Sequence, residues 1–319
     1  MTRNPSLWIQ RLREGRSKLR QEPHAAQRFL ARRSFRFFER AGLHVTADHF
    51  YEPIPNVAML ADEYVDSARP CVGIDFRFGE AERTLLDVLG NFGNEFSASA
   101  RRLGFRERNL SYAGVDAALL YCFVRERQPT RVLEIGQGVS TRIMLAALDD
   151  NARESGNKAS FLTIDPFDRL DHFSAGSDIR VNLDRMRTPL QKVPPHLWEE
   201  LDGRDFVFID SSHVHKFGSD VELIFDQVLP TLATGVAAHL HDIFSPYHYP
   251  RDWYVRSKRF WNEGYHLENF LRFNSAFRVV LPTHHLVRDS AGLAALWPTL
   301  SQLDGLDLEG SSFYVERSG

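Results

Sequence analysis

The chain is predicted to fold as an α/β protein with a doubly wound, mostly parallel sheet of seven strands behind an amino-terminal helical extension. Three observations carry that prediction. Short runs of buried-strand type recur at 131–135, 161–165, 205–210 and 235–244 with helical patterns between them, the alternation that βαβ units produce. Each run ends at or near a carboxylate, Glu134, Asp165, Asp210 and Asp242 in turn, and ligands of such sheets sit at the carboxyl ends of the strands. The first run passes into Gly136-Gln-Gly138, where glycine lets the backbone turn sharply and come close to a ligand.

Taken from the amino terminus, the first forty residues hold eleven Lys and Arg against three Glu, a surplus of eight in a chain whose net charge is -3. Trp8, Ile9, Leu12 and Leu19, then Phe29, Leu30, Phe35, Phe37 and Phe38, lie among those charges as on two amphipathic helices broken near Pro23. Such an arm suits a membrane surface, a nucleic acid or a second subunit, unless its aromatics pack on the main domain while its arginines stay in water. Between 45 and 70 the proline-punctuated 49–56 stretch predicts an extended connector or flap. A chain of 319 residues is long for one core, so the expected division is an arm and connector over 1–75 and a sheet domain over 76–319.

Leu85, Leu86, Val88, Leu89 and Phe92 predict a helix between 80 and 103, and 109–124 reads as a helix leading into the first strand. Val132, Leu133 and Ile135 supply a central parallel strand, and Ser140 or Thr141 caps the helix that carries Ile143, Met144, Leu145 and Leu148. The second strand ends at Asp165-Pro166, where proline stops the ladder. A third strand and a helix around Leu197 and Leu201 are expected within 184–201. After the fourth strand, a helix from Val221 through Val228 stops at Pro230, and the fifth strand follows. Segments 277–281 and 312–316 are the last two strands.

The glycine turn points to a nucleotide-type ligand and excludes two kinds. A dinucleotide fingerprint needs a third glycine where Thr141 stands, and a P-loop needs a lysine that this turn lacks. Glu134, two residues before the turn, would repel a pyrophosphate but attract a cation. Asp165 is placed to accept both hydroxyls of a ribose, or else to cap the turn at Pro166. The pattern Glu-x-Gly-x-Gly-x-Ser resembles the first motif of class I S-adenosylmethionine-dependent methyltransferases. That resemblance implies a Rossmann-like fold with the final strand inserted antiparallel, S-adenosylmethionine as cofactor, and a cofactor site of Glu134, Gly136, Gly138, Ser140, Asp165 and Asp210. It also makes Tyr112 and Asp116, ahead of the first strand, pocket residues; Asp116 alternatively favours a helix amino terminus.

Strands four and five carry the unsolved chemistry. Asp210 and Asp242 on adjacent strand ends need a cation or a shared proton to coexist, and His213 and His241 lie beside them. One expectation is a divalent metal (Fe, Mn, Zn or Mg) held by some of Asp210, His213, His241 and Asp242. Metal-dependent O-methyltransferases resemble this at both aspartates, but Ile243 stands where their asparagine would be. The other expectation is that His213 or His241, oriented by Asp210 or Asp242, is the general base that takes a hydroxyl proton. His239 and His215 read as buried structural histidines.

Beyond strand five, Tyr247, Tyr249, Trp253 and Tyr265 form an aromatic, proline-stiffened loop and helix that serve either as an acceptor pocket and lid or as a packing plug. Together with the His-x-His-Asp-Ile-Phe run, they resemble a bacterial subgroup of class I methyltransferases that modifies sugars or secondary metabolites. The function so implied is O-methylation of a small-molecule acceptor. Cephalosporin-hydroxylase-like proteins are similar in fold and suggest an iron oxygenase as the alternative; a non-catalytic binding module is a third. Two cysteines, Cys71 and Cys122, offer neither a disulfide framework nor metal spacing, and no segment of about 18 apolar residues occurs. A cytoplasmic protein is therefore expected, with homo-oligomerisation open.

Overall fold

The computed structural model describes residues 25–105, 111–167, 169, 178–289 and 310–319. The helix expected around Trp8, Ile9, Leu12 and Leu19 lies outside them. Two compact units divide the chain, Met1–Val65 with Pro250–Phe260 and Asp66–Tyr249 with Trp261–Gly319.

The smaller unit contains α1 (Ala25–Arg40), α2 (Val57–Glu63) and a third helix, Arg251–Val255, which is α9 in chain order. The 49–56 stretch read as an extended connector holds turns and bends with no helix or strand, and α2 follows it directly. Asn56 starts the helix, its side-chain oxygen accepting the Met59 N–H at 3.0 Å and so satisfying one of the unpaired donors of a helix start. Arg251 of α9 donates to the Ala61 carbonyl of α2 at 3.0 Å.

In the larger unit, α3 (Phe78–Arg102) and α4 (Gly114–Arg127) precede β1 (Arg131–Ile135), α5 (Val139–Ser155), β2 (Ser160–Ile164) and β3 (Asn182–Met186). Then follow α6 (His196–Glu199), β4 (Phe206–Ile209), α7 (Asp220–Leu223), a π-helical stretch (Ile224–Val228), α8 (Leu229–Thr231) and β5 (Ala237–Leu240). The unit ends with α10 (Glu263–Leu271), β6 (Phe277–Pro282), α11 (Thr283–Asp289) and β7 (Phe313–Arg317). The sheet order is β3-β2-β1-β4-β5-β7-β6, with β7 antiparallel to both neighbours, as expected. Two details differ from the sequence reading. β3 starts earlier than predicted because Asn182-Leu-Asp-Arg-Met186 is a largely exposed edge strand with no apolar run to mark it. The helix after β4 passes Pro230 and reaches Thr231, the π-helical stretch lying just ahead of a residue that has no N–H to give.

Central strands are buried on both faces, which is why they read as continuous apolar runs. Successive side chains alternate across the sheet, so Phe206 and Phe208 of β4 join Leu119, Met144 and Phe161, while Val207 and Ile209 join Leu133, Ile224 and Trp198. Buried charges at the far end of the sheet are fully engaged. Asp205 accepts from the Thr130 hydroxyl at 2.7 Å, the Arg131 amide at 2.9 Å and Arg131 Nε at 2.7 Å. Arg125 of α4 reaches Glu95, Asn151 and Glu154.

Candidate active site at the carboxyl edge of the sheet

Strand register lines up the functional residues. Ile135 of β1 pairs with Ile164 of β2 and with Ile209 of β4, and Ile209 pairs with Leu240 of β5. The next residue on each strand, Gly136, Asp165, Asp210 and His241, therefore stands in one row along the sheet edge. Gly136 has φ +93, and a Cβ there would lie 1.8 Å from the Asp210 carbonyl oxygen, so glycine is required by space as well as by conformation. Gly138 is different: its φ of 176 is ordinary extended backbone and the space beside it is open.

Glu134 is fully buried and accepts hydrogen bonds from Ser140 Oγ at 2.8 Å and Thr141 Oγ1 at 2.7 Å, in the first turn of α5. Burial pushes its pKa up to about 8; the two hydroxyls oppose that rise and the nearby Asp210 and Asp165 add to it. Asp165 accepts the Gln137 amide at 2.9 Å on one oxygen and the Phe167 amide at 2.7 Å on the other, so it does cap the turn at Pro166 while also tying it to the glycine turn. Gln137 donates to Thr163 Oγ1 at 2.5 Å, and its buried Oε1 has no partner among the described residues.

His213, in a left-handed conformation at φ +59, is clamped on every side. Its Nδ1 lies 2.9 Å from the buried Glu263 carboxylate, its Nε2 lies 3.1 Å from Asp210 and 3.9 Å from Asp242, and its ring stacks on Trp261 at 4.2 Å. Its carbonyl accepts the Asn262 and Glu263 amides at the start of α10, at 3.1 and 3.3 Å. Burial alone would drive the proton off, but Asp210 and Glu263 outweigh it and hold the imidazole pKa up at about 10. The pull in the other direction keeps Asp210 below the usual carboxylate range despite its burial, through His213 and His241.

The reading of His213 as a general base is corrected by this geometry. A carboxyl group stands at each ring nitrogen and together they hold the imidazole pKa up, which leaves no lone pair open to accept a proton from an acceptor. Both nitrogens of His213 face Asp210 and Glu263, so Asp210, His213, His241 and Asp242 are not gathered around a common point in this structure. Among the described residues no group of three or more His, Cys, Asp or Glu side chains is arranged to hold a metal ion.

His241 is buried as well but differs in its ring nitrogens. Its Nε2 is 3.7 Å from Asp242, its ring packs on Tyr112 at 4.6 Å, and its buried Nδ1 has no hydrogen-bond partner among the described residues. His239, on the same face of β5, is the structural histidine expected, with Nε2 2.9 Å from Ser312 Oγ and burial holding its pKa well below normal. Asp242 takes a left-handed φ of +56 and accepts from Ser311 Oγ at 3.1 Å.

The predicted acceptor residues do not converge as a group. Asp116 accepts the Ser311 and Ser312 amides at 2.7 and 3.0 Å, so its carboxylate locks the segment entering β7 onto α4. Tyr112 is buried against Phe208 and His241. Tyr247 and Tyr249 are buried too, Tyr249 Oη accepting the Gly264 amide at 2.8 Å; Tyr265 Oη meets His248 Nδ1 at 3.0 Å, and Trp253 belongs to the other unit. The tyrosines thus pack as a plug. Three participants were not singled out from sequence, Glu263, Trp261 and Ser311. Nothing in the linear sequence pairs residue 263 with residue 213.

Residues 133–243 match a family model described as a methyltransferase domain. An uncharacterized protein of Archaeoglobus fulgidus is 26% identical over 164 residues, which cover 48% of this chain and 72% of its own. Among solved structures, the SAH-bound methyltransferase PaMTH1 of Podospora anserina is 16% identical, covering 82% of this chain and 93% of that one at a TM-score of 0.41. An O-methyltransferase from Bacillus cereus in complex with SAH is 16% identical, covering 62% of this chain and 87% of that one at a TM-score of 0.33. The segment that matches the methyltransferase-domain model runs from β1 to just past β5 of the seven-stranded sheet.

Proposed function

We propose that the protein is an S-adenosylmethionine-dependent O-methyltransferase whose acceptor is a hydroxyl of a small molecule, such as a sugar or secondary metabolite. The observation that carries the reading is the in-register row of Gly136, Asp165, Asp210 and His241, in which only glycine fits at position 136. The residues suit the cofactor. Asp165 retains lone pairs for a ribose diol, the unpartnered Gln137 Oε1 is an acceptor for a donor group, and acidic Asp165 and Asp210 favour a cation.

When bound, S-adenosylmethionine supplies a methyl group on a sulfonium, a leaving group that departs neutral. The chain has to orient the acceptor hydroxyl in line and take its proton as the new C–O bond forms and the C–S bond breaks. His241 is the group suited to that proton, because Nδ1 is free and Asp242 lies on the Nε2 side. Asp210, ionised and held by His213, accepts a hydrogen bond from the hydroxyl and orients it. His213 and Glu263 act as positioning residues behind Asp210. No step is assigned to a metal.

Calorimetric titration of the purified protein with S-adenosylmethionine and with S-adenosylhomocysteine tests the reading. Saturable binding that Asp165→Ala weakens is expected, and absence of binding to the native protein overturns it. Methyl transfer from labelled cofactor to hydroxylated acceptors then identifies the substrate.

A further inference from the structure

We propose that the exposed face of α1 docks the protein on an anionic lipid surface. Successive residues of a helix are separated by about 100°, which places Arg36, Phe29, Arg40, Arg33, Phe37 and Leu30 within one arc of about 120°. Phe29, Leu30 and Phe37 are 50%, 64% and 73% exposed. No acidic residue falls in that arc; Glu39 lies outside it. The opposite side of α1 faces its own unit. Phe35 stacks on His44 at 5.2 Å, Arg28 lies over the Tyr51 ring at 5.2 Å, and Ala31 and Phe38 are half-buried. The apolar residues on the outer arc are therefore not the side that holds the helix in place.

Charge decides what the outer arc suits. Helix α1 carries five Arg against Glu39 alone, a surplus of four, and residues 1–24 carry a further surplus of four. A second copy of α1, or the preceding segment of this chain, would bring like charge against like. An anionic partner is favoured. Three large apolar side chains interleaved with arginines gain nothing along a phosphate backbone in water. They do gain by entering the headgroup and acyl boundary of a bilayer while the guanidinium groups meet lipid phosphates. Such insertion is interfacial, since no helix among the described residues is long and apolar enough to cross a membrane. The inference is independent of the methyl-transfer reading.

Sedimentation of the 319-residue chain with vesicles tests it, comparing pure phosphatidylcholine with phosphatidylcholine containing about 30% phosphatidylglycerol, one anionic lipid in three. Binding to the anionic vesicles is expected to exceed binding to neutral ones at least tenfold and to fall as salt is raised. Replacing Arg33, Arg36 and Arg40 by Gln should weaken it by roughly fivefold per arginine. The Phe29→Ser, Leu30→Ser, Phe37→Ser triple variant should lose most of the binding with all charges kept. Unchanged circular dichroism and an unchanged urea-unfolding midpoint show that both variants remain folded. Equal binding to the two vesicle types, or variants that bind as the native protein does, overturn the proposal. So does duplex DNA binding without vesicle binding, or self-association that the same substitutions abolish, either of which assigns the face to another partner.

Discussion

Glu134→Gln is expected to stabilise the protein by an amount that grows with pH. The native carboxyl is fully buried, and burial together with Asp210 and Asp165 raises its pKa from an ordinary 4.5 to about 8. Between those values the folded protein retains a proton that the unfolded chain has released. Stability therefore falls with rising pH, by about 1.4 kcal/mol per unit, the loss beginning near 4.5 and complete above 8. Over the whole window this amounts to at most about 5 kcal/mol. Glutamine is neutral throughout and retains one acceptor and two donor hydrogens for the Ser140 and Thr141 hydroxyls, so the variant escapes the loss. Asp210, His213 and Glu263 titrate in both proteins, and the difference between them isolates position 134. Urea unfolding of both at pH 5, 6, 7 and 8 measures it. The stability gap should widen steadily, by at least about 2 kcal/mol between pH 5 and pH 8. A gap that stays constant, or a variant less stable than the native protein at pH 8, refutes the assignment of a raised Glu134.

Four further outcomes follow from the same geometry. Glu263→Gln removes one partner of a buried pair and should cost about 3 kcal/mol of stability. In the native protein the His213 contribution is present in full below pH 6.5 and is lost as pH rises through about 10; in the variant the imidazole titration, followed by NMR, moves to lower pH. Gly136→Ala places a methyl group against the Asp210 carbonyl and is expected to abolish cofactor binding by calorimetry and to lower stability by about 3 kcal/mol in denaturant unfolding. Asp165→Asn should weaken cofactor affinity by about 10–100-fold, measured by calorimetry, through loss of charge-assisted hydrogen bonds. His241→Gln should lower kcat by roughly 10²–10⁴-fold once an acceptor is found, with the cofactor Kd unchanged.

Much of the fold was legible because the central strands are buried on both faces, and such strands announce themselves as apolar runs. Edge strand β3 did not, since Asn182-Leu-Asp-Arg-Met186 serves solvent on most of its surface. Helix α2 hid behind prolines and was revealed by the Asn56 cap. In the site, residues carried by the strands themselves were found in advance, because a parallel ladder places the ends of neighbouring strands side by side. Their partners were not. Glu263 and Trp261 reach His213 from α10, and Ser311 reaches Asp116 and Asp242 from the approach to β7.

By itself the sequence determined the order of strands and helices, the glycine that the turn at 136 requires, and the row of acids and histidines at the sheet edge, since each is a local property of spacing and residue type. Tertiary structure decided the charge state and the job of each group in that row. A histidine beside one aspartate reads as a base, whereas His213 between two carboxyl groups has both nitrogens committed, and His241 keeps the free nitrogen. That difference is physical: a pKa answers to every charge within a few ångströms, and at this site Asp210 acts together with a second carboxyl group that comes from fifty residues further along the chain.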